Sequence, residues 1–166
     1  MSGLEDLYRE IILDHYRSPR NRGELAVPPA HRTEGFNPLC GDEIVVYVDV
    51  EDPSKGADAV ITDVKIGGQG CSISQASASM MSAAVKGKTV AEVADLTKAF
   101  KAMMSIHEST LEGEDAAPEP DDVPEVSLGD LEALRGVVRF PVRIKCATLS
   151  WNTLGQAIEE AATTTA

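Results

Sequence analysis

Three cysteines stand far apart in this 166-residue chain, and each lies in a setting that suits a reactive or metal-bound thiolate: Cys40, Cys71 and Cys146. Cys40 precedes Gly41, and glycine lets a metal or a partner approach the backbone closely. Cys71 follows a glycine-rich run and precedes a predicted helix, whose positive N-terminus favours a thiolate. With the carboxylate of Asp42, the three thiols form a four-ligand set for a soft or borderline cation. The sequence therefore predicts a fold in which these distant segments converge.

Each cysteine also has an ordinary interpretation when it is taken alone. The Asn-Pro and Gly-Asp pairs around Cys40 are common in turns. Cys71 can be a small apolar residue of the core, since free cysteines are often buried. Cys146 lies off the apolar stripe of its predicted helix, so it can be a half-buried cysteine beside ordinary surface cations. A Cys-Cys-Cys-His site is the main alternative to a site that uses Asp42, and its histidine would be one of three: His15, His31 or His107.

The composition excludes several classes of function. The formal net charge is −12, from 15 basic and 27 acidic residues, and such a field repels a phosphate backbone, so we expect no general nucleic-acid binding. No stretch approaches the ~20 apolar residues of a membrane span, and the acidic first residues contain no secretory signal. An odd number of cysteines without paired spacing argues against a disulfide framework. Together these features predict a cytoplasmic protein.

Hydrophobic periodicity predicts one α+β domain over residues 1–166, in which helices cover one side of an antiparallel sheet and the cysteine site lies at one edge. Two strands form a hairpin around a turn at 52–56. The segment before them, 24–42, is predicted as an irregular loop that ends at Cys40, with an optional further strand over 24–34. Residues 112–125 carry seven acids, three prolines and no basic residue, which predicts a solvated insertion. The predicted strands are 43–50 and 60–66, and the predicted helices are 3–17, 74–86, 89–106, 128–135 and 142–161.

The chain resembles the U-type iron–sulfur cluster assembly proteins. The matching segments are Leu13-Asp14-His15-Tyr16-x-x-Pro19-x-Asn21-x-Gly23, Asn37-Pro38-x-Cys40-Gly41-Asp42, Gly68-x-Gly70-Cys71-x-Ile73-Ser74-x-Ala76-Ser77 and the late Cys146. Lys145 stands where the IscU-like scaffold branch has a histidine, and additional sequence separates the central helix from Cys146. Both departures resemble the SufU branch, whose members bind zinc and accept sulfur from a cysteine desulfurase.

The resemblance implies Zn²⁺ bound by Cys40, Asp42, Cys71 and Cys146. Because a closed four-ligand site leaves no position for a substrate, thiol chemistry is expected rather than hydrolysis. Cys40, on a loop that can move more freely than a helix, is the predicted sulfur acceptor, and Arg143 is predicted to support it. The implied partners are a cysteine desulfurase and downstream iron–sulfur assembly proteins.

Two other functions stay open on the sequence alone. The same residues suit a non-enzymatic scaffold that assembles a [2Fe–2S] cluster, since thiolates bind such clusters as well as zinc. The third possibility is a structural zinc domain that recruits partners and needs no reactive thiol. Whether the protein is a sulfurtransferase or has no enzymatic activity therefore remains open at this stage.

Overall fold

The computed structural model describes residues 2–27, 30–38, 41–112, 128–139 and 141–164. Within these ranges, two 3-10 helices, Pro53–Asp58 and Gly129–Arg139, accompany four α-helices and three strands. In chain order the main elements are α1 (Ser2–Arg17), β1 (His31–Asn37), β2 (Asp42–Val50), β3 (Ile61–Gln69), α2 (Ser72–Val85), α3 (Val90–Glu112) and α4 (Pro141–Thr164). No helix in these described ranges is both long and apolar enough to cross a membrane.

The three strands form an antiparallel sheet in the order β1-β2-β3. One face is buried under helices, and its core side chains include Ile44, Val46 and Val48 from β2. Helix α4 packs directly on β1 at Gly35, where a Cβ atom would lie 2.0 Å from the Oγ1 of Thr153. Alternate residues of β1 are exposed on the other face. The predicted fold class, an antiparallel sheet covered on one side by helices, is confirmed.

Helix α2 lies at the centre of the packing, and small side chains make this possible. Residues 74–82 of this helix are all buried, and most of them are serine or alanine. The hydroxyl of Ser77 donates a hydrogen bond of 2.5 Å to the carbonyl oxygen of Ala147 in α4. Helices α3 and α4 meet through the stacked rings of Phe100 and Trp151, whose centroids lie 4.9 Å apart.

The prediction of an irregular loop over 24–42 was wrong, because strand β1 occupies His31–Asn37 and overlaps the optional strand 24–34 only in part. The buried positions of β1 include the polar residues Thr33 and Asn37, so the strand has little apolar alternation to detect. The predicted turn at 52–56 lies mostly within the first 3-10 helix, and the predicted helix over 128–135 is the second.

The predicted phase of β3 was also wrong at its start. Strict alternation over 60–66 predicts Val60 and Thr62 on the same face as Val64 and Ile66, but Ile61 is fully buried and Thr62 is exposed. A register shift in the ladder at Asp49/Val50 explains the change, because an irregular pairing reverses the faces of the residues beyond it. The acidic stretch predicted as an insertion lies, except for Glu112, outside the described residues.

Candidate metal centre

Asp42, Cys71 and Cys146 converge at one edge of the sheet. A carboxylate oxygen and the two sulfur atoms all lie within 4.8 Å of one another. Asp42 begins β2, Cys71 is the N-cap residue of α2, and Cys146 lies in the second turn of α4. Gln69 at the end of β3 pairs with Glu43 at the start of β2. The chain therefore leaves β3 beside Asp42, and Cys71 follows Gln69 by two residues.

The carboxylate of Asp42 is buried and held on one side by the backbone of α2. Asp42 is only 1% exposed, and its Oδ1 accepts a hydrogen bond of 2.9 Å from the backbone N–H of Cys71. The thiol of Cys71 donates to Oδ2 across 3.9 Å. A Cβ atom on Gly70 would lie 2.4 Å from Oδ1. Gly70 is therefore needed for the space that the carboxylate fills.

Cys71 lies directly before helix α2, and the prediction that it precedes a helix is confirmed. The helix begins at Ser72, two residues earlier than predicted, so Cys71 itself is the N-cap residue. Its sulfur accepts a hydrogen bond of 3.4 Å from the backbone N–H of Ser74. This contact, together with the partial positive charge of the helix N-terminus, stabilises negative charge on the sulfur.

Cys146 is completely buried, so the sequence interpretation of a cysteine off the apolar stripe was wrong. The side-chain amide of Asn37 donates a hydrogen bond of 3.6 Å to its sulfur. Asn37 is itself buried at the end of β1, where it pairs with Asp42. Sequence reasoning assigned Asn37 no role, although the residue stands in the same motif as Cys40, three positions before it.

Cys40 lies outside the described residues, but the chain on either side of it is described. Asn37 and Asp42 are paired, and the backbone N–H of Gly41 donates to the carbonyl oxygen of Asn37 over 2.9 Å. Gly41 has a φ of 70°, a conformation that favours glycine, and this residue joins Cys40 to Asp42. Arg143 is exposed in the first turn of α4, three residues before Cys146.

The histidine alternatives gain no support from the described part of the chain. His15 is buried elsewhere, where its Nδ1 lies 2.7 Å from Ser79 Oγ and its Nε2 lies 2.9 Å from an oxygen of Asp130. His31 begins β1, six residues before Asn37 and thus about 20 Å away along an extended strand. The side chain of His107 lies outside the described set.

The donor set fits zinc. Zinc–sulfur bonds of about 2.3 Å and zinc–oxygen bonds of about 2.0 Å place tetrahedral ligands roughly 3.5 to 3.8 Å apart. The three described ligand atoms lie within 4.8 Å, so small side-chain movements would bring them to that spacing. Two thiolates also suit an iron–sulfur cluster. The structure brings together three of the four predicted ligands, and their role as ligands stays a prediction.

Known proteins match this chain in sequence and in fold. The chain belongs to the family of the NifU-like N terminal domain, whose sequence profile matches residues 7–165. This confirms the resemblance found in the sequence.

Three similar proteins illustrate the match. A relative named zinc-dependent sulfurtransferase SufU, from Bacillus subtilis, is 41% identical over 95% of this chain and 92% of its own length. An iron–sulfur cluster assembly scaffold protein IscU from Streptococcus pyogenes is 36% identical over 98% of this chain and 89% of its own. The crystal structure of a nitrogen-fixing NifU-like protein from Brucella abortus has a TM-score of 0.69 at 26% identity, over 94% of this chain and 96% of the other.

Proposed function

We propose that this protein is a zinc-dependent sulfur acceptor of iron–sulfur cluster assembly, which takes persulfide sulfur from a cysteine desulfurase. The convergence of Asp42, Cys71 and Cys146 within 4.8 Å carries the proposal. The SufU relative supports zinc-dependent sulfur transfer as the activity, since it aligns with 95% of this chain. The proposal includes downstream iron–sulfur assembly proteins as recipients, the cytoplasm as the location, and a single domain with an insertion near 112–125.

The described residues hold and orient the proposed ligands. Bound zinc would keep the coordinating thiols deprotonated. The buried amide of Asn37 orients the sulfur of Cys146, and the N-terminus of α2 stabilises negative charge on Cys71. The hydrogen bond from the Cys71 N–H to Asp42 fixes the carboxylate beside both. Such outer contacts position ligands and tune their donor strength.

Cys40 is proposed as both the fourth ligand and the sulfur acceptor. Cys146 is fully buried, so it cannot meet a second protein without a change of structure. Cys71 is half-buried, and its sulfur is held by Asp42 and by the backbone N–H of Ser74. Cys40 belongs to the connection between β1 and β2, beside Gly41, where a Cβ atom would meet no described atom within 4 Å. Arg143, exposed at the start of α4, is the proposed supporting cation.

The transfer itself is a thiol exchange. The Cys40 thiolate attacks the outer sulfur of the desulfurase persulfide, so a sulfur–sulfur bond forms on Cys40 while the bond within the persulfide breaks. The desulfurase cysteine leaves as a thiolate, and no external oxidant or reductant is needed.

A [2Fe–2S] scaffold on the same residues is the second candidate function. The specific observation in its favour is the 36% identity with a relative named as an IscU scaffold, over 98% of this chain. Lys145, at the position before Cys146 where the scaffold branch carries a histidine, argues against it.

Metal analysis of protein purified without oxygen separates the two functions. We expect a colourless protein with about one zinc per chain, and we expect Asp42→Ala to lose most of that zinc. Asp49→Ala is the matched control, because Asp49 lies on the same strand away from the site and should retain the metal. Stoichiometric iron and inorganic sulfide would instead establish the scaffold.

Mass spectrometry of peptides after reaction with desulfurase and cysteine tests the acceptor. A gain of one sulfur on the Cys40 peptide is expected, together with faster desulfurase turnover, and Cys40→Ser should abolish both because a hydroxyl is a poor nucleophile toward persulfide sulfur. A gain on the Cys146 peptide alone would move the acceptor to α4. No gain on any peptide, with turnover unchanged, would refute sulfur transfer.

A further inference from the structure

A cavity of about 350 Å³ opens beside the metal centre, between the end of α1, the end of β3 and the start of α2. Its polar side chains belong to Tyr16, Arg22, Gln69 and Gln75, and the glycines on either side of Gln69 form one wall. Gly70 lies between this cavity and the metal centre. The carboxylate of Asp42 fills the space that a Cβ atom on Gly70 would occupy. A molecule in the cavity would therefore lie next to the proposed ligands.

Some hydrogen-bond donors that line the cavity have no partner among the described residues. Arg22 donates from Nη1 to Gln75 Oε1 over 3.3 Å and from Nη2 to the carbonyl oxygen of Gly68 over 2.9 Å. A guanidinium has five N–H donors, so further ones are available. Gln75 is only 7% exposed, and its Nε2 has no hydrogen-bond partner within the described residues. No carboxylate pairs with Arg22 among the residues described.

The backbone fixes Arg22 in place before any ligand binds. Asn21 has a φ of 58°, which is unusual for a residue other than glycine, and its amide donates to the hydroxyl of Ser82 over 3.1 Å. Ile66 of β3 donates to the carbonyl oxygen of Asn21 over 3.0 Å and accepts from Gly23 over 3.1 Å. A donor held in this way loses little freedom on binding, which favours affinity.

We propose that this cavity binds the carboxylate group of a small thiol, of the size of cysteine or 3-mercaptopropionate, and so places the thiol beside the metal centre. A carboxylate supplies acceptor oxygens for the remaining N–H groups of Arg22 and for Nε2 of Gln75. Arginine recognises a carboxylate through two parallel hydrogen bonds. The volume suits a small molecule and lies at the low end of the usual range for ligand pockets.

The role of such a thiol rests on the proposed function. Its thiolate attacks the outer sulfur of the persulfide formed on the protein, a new sulfur–sulfur bond forms on the small thiol, and the protein cysteine leaves as a thiolate. Electrons and atoms balance without a further reactant. The small thiol is then a recipient of the sulfur.

Binding of three probes to the zinc-loaded protein tests the proposal: 3-mercaptopropionate, cysteamine and propionate. The first two share the thiol, and only the first has a carboxylate. The net charge of −12 would favour the cationic cysteamine over an anion, so a preference for 3-mercaptopropionate opposes the overall field of the protein. By calorimetry at physiological salt we expect 3-mercaptopropionate to bind about tenfold more tightly than cysteamine, the size of effect that a charged hydrogen bond to the carboxylate gives. We also expect it to bind more tightly than propionate, which makes the same hydrogen bonds but has no thiol.

Arg22→Gln should remove the preference, and Arg20→Gln is its matched control. Arg20 lies two residues away and pairs with Asp14 outside the cavity, so its loss changes the net charge equally. Gln75→Glu is a second variant, because it keeps the volume and an oxygen that accepts from Arg22 but replaces the Nε2 donor with a carboxylate oxygen. It should weaken the binding of 3-mercaptopropionate. Zinc content and melting temperature measured on each variant show whether the fold is intact.

Several results would overturn the proposal. Equal binding of 3-mercaptopropionate and cysteamine would do so, as would equal weakening by Arg22→Gln and Arg20→Gln. Propionate binding as tightly as 3-mercaptopropionate would show a carboxylate site with no role for the thiol. Unchanged thiol binding together with weaker desulfurase association in Arg22→Gln would assign the site to a carboxylate of the partner protein. No desulfurase enters the calorimetry, so its outcome does not depend on whether Cys40 accepts sulfur.

Discussion

At the scale of single residues, Gly70 leaves the space that the carboxylate of Asp42 fills. A Cβ atom there would lie 2.4 Å from Oδ1 and 3.0 Å from the carboxylate carbon. An added methyl group must push the carboxylate away from the backbone N–H of Cys71, which now holds it at 2.9 Å. The orientation of a buried ligand thus depends on a residue that has no side chain.

Gly70→Ala should weaken zinc retention by roughly 10- to 100-fold, the range typical for residues that position metal ligands. Gly67→Ala is the matched control, because its Cβ would lie in ordinary contact, 3.8 Å from Val45. Competition with a zinc chelator measures the affinities, and circular dichroism verifies the folds. Equal affinities of the two variants would contradict this role of Gly70.

At the scale of elements, helix α3 begins with a capping box. The backbone N–H of Thr89 donates to Glu92 Oε1 over 2.9 Å, and the N–H of Glu92 donates to Thr89 Oγ1 over 3.1 Å. The hydrogen bond from the Thr89 backbone, followed by one from its hydroxyl, lowers the pKa of Glu92 below its usual value. The sequence itself predicts such a box, because a threonine followed three residues later by a glutamate is its usual pattern.

The capping box makes part of the stability dependent on pH. Because the pKa of Glu92 is lower in the folded state, its stabilising effect is complete above the unfolded pKa and is lost as the pH falls through the folded pKa. Glu92→Gln keeps a cap that does not titrate. The melting temperature of the wild type minus that of Glu92→Gln should therefore fall between pH 7 and about pH 3.

Glu10→Gln, on an exposed position of α1, is the control for general charge effects. The capping argument would be contradicted if the difference in melting temperature between the wild type and Glu92→Gln did not change with pH. It would also be contradicted if that difference changed equally for Glu92→Gln and Glu10→Gln. Thr89→Ala should lower stability at pH 7 by about 1 kcal/mol, the usual cost of losing such a cap.

At the scale of the whole molecule, one aromatic pair joins the two long helices that follow α2. Phe100 of α3 and Trp151 of α4 are almost completely buried, and their rings stack at an angle of 19°. Since α4 also carries Cys146, this contact fixes the helix that brings the last proposed ligand to the sheet edge.

Phe100→Ala should lower the free energy of unfolding by about 3 to 5 kcal/mol, because it removes a buried ring and leaves a cavity. Phe36→Ala is the matched control: Phe36 is 60% exposed, so its loss should change stability by less than about 0.5 kcal/mol. Urea denaturation of the zinc-loaded variants provides both values. A small effect of Phe100→Ala would show that the contact between α3 and α4 does not limit stability.

Shortening residues 113–125 to a brief Gly-Ser linker should leave the melting temperature unchanged within a few degrees. The stretch contains six acids and three prolines and no basic residue, a composition that buries too little apolar surface to offset the entropy of ordering. A large fall in melting temperature would contradict this. Unchanged melting with lost desulfurase stimulation would identify the segment as a partner contact.

The sequence predicted the order and type of most elements, because local chemistry specifies them. Alternating valines predict β2, the capping box predicts the start of α3, and the spacing of Ala147, Trp151 and Leu154 predicts the buried face of α4. Strand β1 escaped prediction, since it buries polar residues against α4 and pairs with β2 through its backbone.

What the sequence by itself determined is the chemistry of the site: three thiols, an aspartate beside one of them, and a glycine-flanked helix start at Cys71. What only the tertiary structure decided is their spatial relation. The burial of Cys146, the hydrogen bond from Asn37 and the space at Gly70 all join segments that are far apart in the chain. Local propensity acts over a few residues, whereas these contacts depend on how the sheet and α4 pack together, and packing is a property of the whole fold.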